Sequence, residues 1–106
     1  MMRMTDRRLV SIRRYVPGFR RDEYAVAWNA LHDAATARGA HAWHFISLDE
    51  TDVFLEFLEF GAEADVREDP ATLAAIKALH EAFGGAYPAP KTIEEWAEVR
   101  PERDAR

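Results

Sequence analysis

No cysteine occurs in the 106 residues, which excludes disulfides, thiolate nucleophiles and Cys-bound zinc. No apolar run approaches the roughly 20 residues that a bilayer-spanning helix needs. A glycine-rich phosphate loop is also missing, because Gly84-Gly85 follows an expected helix instead of opening one. The leading stretch MMRMTDRR is basic, yet it runs into a strand-like segment and not into a signal-peptide core. No internal repeat or low-complexity tract is visible. These absences leave a cytoplasmic chain of one domain as the expectation, with no membrane partner.

Charge is present but unevenly spread. Residues 1–21 hold seven Arg against one acid, Asp6, for +6; the remainder holds seven basic and eighteen acidic residues, for −11, giving the overall −5. Paired arginines (Arg7-Arg8, Arg13-Arg14, Arg20-Arg21) raise the question of nucleic acid. The acidic remainder and the absence of a recognition-helix or zinc-finger pattern argue against it.

The most informative stretch is His41–Phe60, HAWHFISLDETDVFLEFLEF. It reads as two strands rich in β-branched and aromatic residues, joined by the turn-forming Asp49-Glu50-Thr51-Asp52. With Leu48 opposite Val53, alternation places His41, Trp43, Phe45 and Ser47 on one face with Phe54, Glu56, Leu58 and Phe60. The other face holds Ala42, His44 and Ile46 with Val53, Leu55, Phe57 and Glu59. Neither face is polar, so this sheet needs cover on both sides.

Around the hairpin, residues 1–8 read as a disordered leader and residues 9–100 as the folded domain. Leu9–Val16 is a strand with Val10, Ile12 and Val16 on one face and Ser11, Arg13 and Tyr15 on the other, ended by Pro17-Gly18. Arg21–Arg38 is a helix with the apolar stripe Tyr24, Trp28, Leu31 and Ala35, acids in its first turn and Gly39 as its stop. Asp69-Pro70 announces a second helix, an N-cap followed by proline at the first position. Its apolar face is expected at Leu73, Ile76, His80 and Phe83, supported by Leu79. Tyr87–Pro90 is an extended linker. Thr92–Arg100 alternates like a strand, but Thr92 with Glu95 is also a helix capping box, and local pattern leaves both open. Residues 101–106 read as a flexible tail.

If the last element is a strand, the order is βαββαβ, the ferredoxin-like α+β plan with a four-stranded antiparallel sheet. Its helices cover one face. The bare, aromatic face then implies a homodimer in which two sheets are packed together.

At this point the chain resembles the dimeric α+β barrel superfamily, and within it the antibiotic-biosynthesis-monooxygenase-like (ABM-like) proteins. The resemblance rests on the first strand ending in Pro17-Gly18, on Arg20-Arg21-Asp22-Glu23-Tyr24, on Gly39-Ala40-His41-Ala42-Trp43, and on Phe54–Phe60. It spans roughly residues 9–99 and favours a strand for Thr92–Arg100. It implies a small aromatic or polyketide-like ligand and cofactor-free oxygenation. Haem-degrading relatives carry an Asn on the first strand, a Trp near the end of the third and a His on the second helix. Here the first-strand positions are Ser11, Arg13 and Tyr15, Phe60 stands in place of Trp, and only His80 corresponds, so no haem is expected.

The open face supplies the candidate ligand-binding residues: Arg13, Tyr15, Trp43, Phe45 and Phe60. Glu56, placed among them, is costly unless paired. Either Arg13 on the neighbouring strand balances it, or desolvation raises its pKa and makes it a general base. His80 is the second catalytic candidate, by the resemblance. No metal site is expected: His41 and His44 point to opposite faces, and His32 and His80 lie on different helices. The alternative function is a non-catalytic dimerisation or ligand-sensing module whose barrel interior is filled by side chains.

Overall fold

The computed structural model describes residues 1–83 and 93–102. Strand β1 (Met2–Tyr15) is followed by a 3-10 turn, Gly18–Arg20, and helix α1 (Arg21–Ala37). Strands β2 (His41–Ile46) and β3 (Val53–Gly61) form the hairpin, and a second 3-10 turn, Val66–Glu68, leads into α2 (Pro70–Phe83) and β4 (Ile93–Pro101). The sheet order is β2-β3-β1-β4 with every pairing antiparallel. This is the ferredoxin-like α+β plan, and residues 93–100 are strand.

The helices form for the reasons the sequence offers. In α1 the stripe Tyr24, Trp28, Leu31 and Ala35 is buried. Gly39 stops the helix at φ +84, a left-handed geometry that glycine adopts without steric cost. At α2 the Asp69 carboxylate accepts from the backbone N–H of Thr72 (3.0 Å) and from its hydroxyl (2.9 Å), with Pro70 in the first turn. The inward stripe of α2 is Thr72, Ile76, Leu79 and Phe83, of which all but Ile76 are fully buried. Leu73 and His80, expected on that face, are exposed; seven residues apart, they share a flank of the helix outside the buried stripe. The expected Gly84-Gly85 stop, the Tyr87–Pro90 linker and residues 103–106 lie outside the described residues.

Two expectations are corrected. Residues 2–8, read as a disordered leader, are the first half of β1: Met2, Arg3 and Met4 pair with Pro101, Arg100 and Val99, and a register shift between Met4 and Arg8 returns the strand to the main sheet. Backbone pairing with β4 orders a segment whose side chains bury little.

The hairpin register also differs by one. Ile46 pairs with Phe54 and His44 with Glu56, and Ser47 N–H donates to the Val53 carbonyl at 2.8 Å. Ser47 Oγ accepts from the N–H groups of Asp49 (3.1 Å) and Glu50 (2.9 Å), while Asp52 takes a positive φ of 63. The turn therefore holds five residues, 48–52, and Leu48 is turned out to solvent. A one-residue change of register exchanges the faces of a strand. Phe54, Glu56, Leu58 and Phe60 consequently face the helices, and Val53, Leu55, Phe57 and Glu59 face the open side.

The core lies between the sheet and the two helices, with Val10, Ile12, Val16, Leu58 and Phe60 meeting Tyr24, Trp28, Leu31, Leu79 and Phe83. The opposite face carries Trp43, Phe45 and Trp96, which are 44%, 57% and 49% exposed. Among the described residues, no helix is long and apolar enough to cross a membrane.

Candidate functional site

Alternation along β1 brings Arg14 onto the same side as Val10, Ile12 and Val16. β3 brings Glu56 there and β2 brings His44, while α1 lowers Tyr24 onto all three. Arg14 and Glu56 are each 1% exposed. Arg14 Nε donates to Glu56 Oε2 at 2.9 Å, and the Tyr24 hydroxyl donates to the same oxygen at 2.7 Å. Among the described residues, nothing hydrogen-bonds to the buried Glu56 Oε1.

Burial pushes the Glu56 carboxyl above the usual range, against the lowering effect of Arg14 and of the Tyr24 hydrogen bond. Both donors fall on one oxygen, so the other pays its desolvation without return. Burial, then the neighbouring Glu56, drives the Tyr24 hydroxyl far above the ordinary tyrosine range, so it acts as a hydrogen-bond donor and not as a phenolate.

His44 stands at the far end of this chain. Its Nδ1 lies 3.1 Å from the Tyr24 oxygen, and its ring stacks on Trp28 at 4.2 Å and 12°. Burial, with a smaller effect from His32, lowers its pKa. Because Tyr24 spends its one proton on Glu56, His44 is assigned as the tautomer whose Nδ1–H donates to Tyr24. The result is a directed line, His44 to Tyr24 to Glu56, ending at Arg14.

The raised carboxyl has a measurable sign. A folded-state pKa above the unfolded value of 4.5 means that the native state holds more protons between the two, so stability falls as pH rises through that window. Relative to Glu56→Gln, which has no such proton, the wild type should lose stability from about pH 4.5 upward and level off above the folded pKa. Urea unfolding of both proteins across this range checks it. A difference that stays constant, or that grows in favour of the wild type, refutes a raised Glu56.

Next to Arg14 a cleft opens between α2 and the β1–β4 half of the sheet. Its volume is about 470 Å3, and it is lined by Ile12 and Arg14 from β1, by Ile76, Lys77, His80 and Glu81 from α2, and by Ile93 from β4. That size lies within the range of small-molecule sites. Ile12 is the cross-strand partner of Glu56, but Glu56 itself does not line the cleft; Arg14 stands between them.

The structure separates the sequence-derived candidates into three places. Arg13, Tyr15, Trp43 and Phe45 lie on the open face, where Arg13 and Phe45 share a hollow of only about 180 Å3 with Val53 and Leu55. Glu56 and Phe60 lie on the helix side, so neither belongs to the open-face lining, and the partner of Glu56 is Arg14 and not Arg13. His80 lines the α2 cleft. Arg14 is not among the sequence-derived candidates, although its parity with Val10, Ile12 and Val16 marks it as inward. Tyr24 belongs to the expected apolar stripe, but a phenol in such a stripe needs a polar partner. Among the described residues, no group of three or more His, Asp or Glu is placed to hold a metal ion.

No protein-family model matches the sequence, and neither does any curated protein. Solved structures do match. A Nitrosomonas europaea protein assigned as an antibiotic biosynthesis monooxygenase aligns with a TM-score of 0.65 over 95% of this chain and 96% of its own, at 8% identity. A Shewanella oneidensis protein of known crystal structure aligns with a TM-score of 0.64 over 95% of this chain and 100% of its own, at 10% identity. At such identities the likeness is one of fold. The chain shares with these two proteins the ferredoxin-like α+β fold, the plan expected from its sequence.

Proposed function

We propose that the protein is a homodimeric small-molecule-binding barrel whose ligand, an apolar aromatic or polyketide-like body, enters the cleft beneath α2. The observation that carries this reading is the 470 Å3 cleft with the apolar side chains Ile12, Ile76 and Ile93 beside a buried polar cluster. An apolar hollow with a few convergent polar groups is the usual form of a ligand site. The exposed rings of the open face support the dimer. The fold shared with the Nitrosomonas europaea protein supports the finer reading, cofactor-free oxygenation of an electron-rich aromatic. There, Glu56 would act on the reaction only through Arg14.

The experiment is a fluorescence titration with the neutral aromatic probe N-phenyl-1-naphthylamine. Saturable binding of one probe per protomer, lost in Ile76→Trp, supports the site; binding that is absent, or indifferent to that substitution, overturns it. Oxygen uptake with naphthalenediols tests the finer reading. Uptake that Glu56→Gln slows while the dimer persists supports it, and uptake that is absent or unchanged in that variant overturns it. One observation favours the non-catalytic alternative: Glu56 is enclosed and touches no cleft surface.

A further inference from the structure

The protein carries a net charge of −5, yet the cleft beneath α2 gathers Arg14, Lys77 and His80 around Ile12, Ile76 and Ile93, with Glu81 the one acid among its described lining residues. Arg14 belongs to the inner wall, where it is almost wholly removed from water. The guanidinium is fixed there, because Nε is held by Glu56 Oε2 and that same oxygen is tied to Tyr24. A guanidinium is a planar fork of five N–H donors, suited to meeting carboxylate-like groups at two points.

Among the described residues, Glu56 is the only acid hydrogen-bonded to Arg14, and its Oε1 has no donor. Glu56 takes only the Nε of Arg14, so among the described residues the two terminal nitrogens of the guanidinium remain as donors for an anion arriving in the cleft.

We propose that the ligand of this cleft is an organic acid: an apolar, ring-sized body lying against Ile12, Ile76 and Ile93, with its anionic group directed to Arg14 and flanked by Lys77 and His80. This rests on the cleft being the ligand site, and it adds the class of ligand the site selects. Arg14 is the specificity-determining residue. Lys77 and His80, exposed on α2, form the entrance. Glu56 and Tyr24 position Arg14 without touching the ligand.

A matched pair of probes tests it: 1-anilinonaphthalene-8-sulfonate, and the same ring system without the sulfonate, N-phenyl-1-naphthylamine. On the intact 106-residue chain the sulfonate should bind at least about tenfold more tightly, the gain expected from hydrogen bonds to a charged group. The preference should narrow as salt is raised. In Lys77→Gln/His80→Gln, two surface changes, the ratio of the two affinities should shrink. In Arg14→Met/Glu56→Leu, which removes the buried pair together and spares the fold an orphaned charge, the preference should disappear. Equal affinity for the two probes, or a preference that survives loss of Arg14, overturns the inference while leaving the cleft a ligand site. Failure of both probes to bind, or binding that Ile76→Trp does not block, overturns the site and the inference together.

Discussion

Arg14→Met alone should cost the protein about 3–5 kcal/mol of stability, the penalty for leaving one member of a buried ion pair without the other. The substitution keeps the bulk of the side chain, so the loss is electrostatic more than steric. Glu56 would retain only the Tyr24 hydroxyl, at 2.7 Å, with no cation to offset its desolvation. Its remaining escape is to bind a proton, and the cost should therefore be smaller at pH 5 than at pH 8. Arg14→Met/Glu56→Leu should recover most of the loss, since a well-packed apolar replacement of a buried pair is often neutral or stabilising. Tyr24 keeps a partner in that variant: its hydroxyl turns to donate to His44 Nδ1, 3.1 Å away, and His44 moves its proton to the other nitrogen. Urea denaturation of the wild type, both single variants and the double variant closes the cycle. A double variant as unstable as Arg14→Met would mean that the guanidinium stabilises by packing and not by pairing.

The same pair shows where the sequence could be read and where it could not. The stripe of α1, the Asp69-Pro70 start of α2 and the βαββαβ order follow from local rules of periodicity, capping and alternation, and each of these is present in the structure. The hairpin register does not follow from such rules. Asp49-Glu50-Thr51-Asp52 is good turn chemistry, but whether the turn takes four residues or five depends on Ser47 bonding two N–H groups and on Asp52 adopting a left-handed φ. That single residue decides which side of the sheet receives Glu56. Pairing Leu48 with Val53 put Glu56 on the open side, and only a three-dimensional arrangement of Arg14 and Tyr24 makes the inner side tolerable. Alternation on β2 was legible, so Trp43 and Phe45 were placed on the open face, as the structure has them. The α2 cleft was not legible, because it depends on how far α2 stands from β1 and β4.

The open face carries the second large effect. With the hairpin in its actual register, Phe57 sits near the middle of that face, paired with Trp43 on one side and Ser11 on the other, and its ring meets Phe45 edge-on at 5.7 Å. Ion pairs lie toward the ends: Glu59 is held by Arg7 and His41, and Arg13 pairs with Glu50 near the turn. Rings in the centre and charges at the margin are the anatomy of a protein interface. In a two-fold dimer sealed by this face, each substitution acts twice. Phe57→Glu would bury two unpaired carboxylates at about 2 kcal/mol each or more, a total of about 4 kcal/mol, which weakens the dimer about a thousandfold. In a monomer the same residue would lie at the surface and the change would cost little. Sedimentation velocity at micromolar concentration distinguishes the two. A dimeric wild type and a folded, monomeric Phe57→Glu protein with red-shifted tryptophan emission support the sealed barrel. A monomeric wild type, or a Phe57→Glu protein as dimeric as the wild type, removes the open face as the dimer contact.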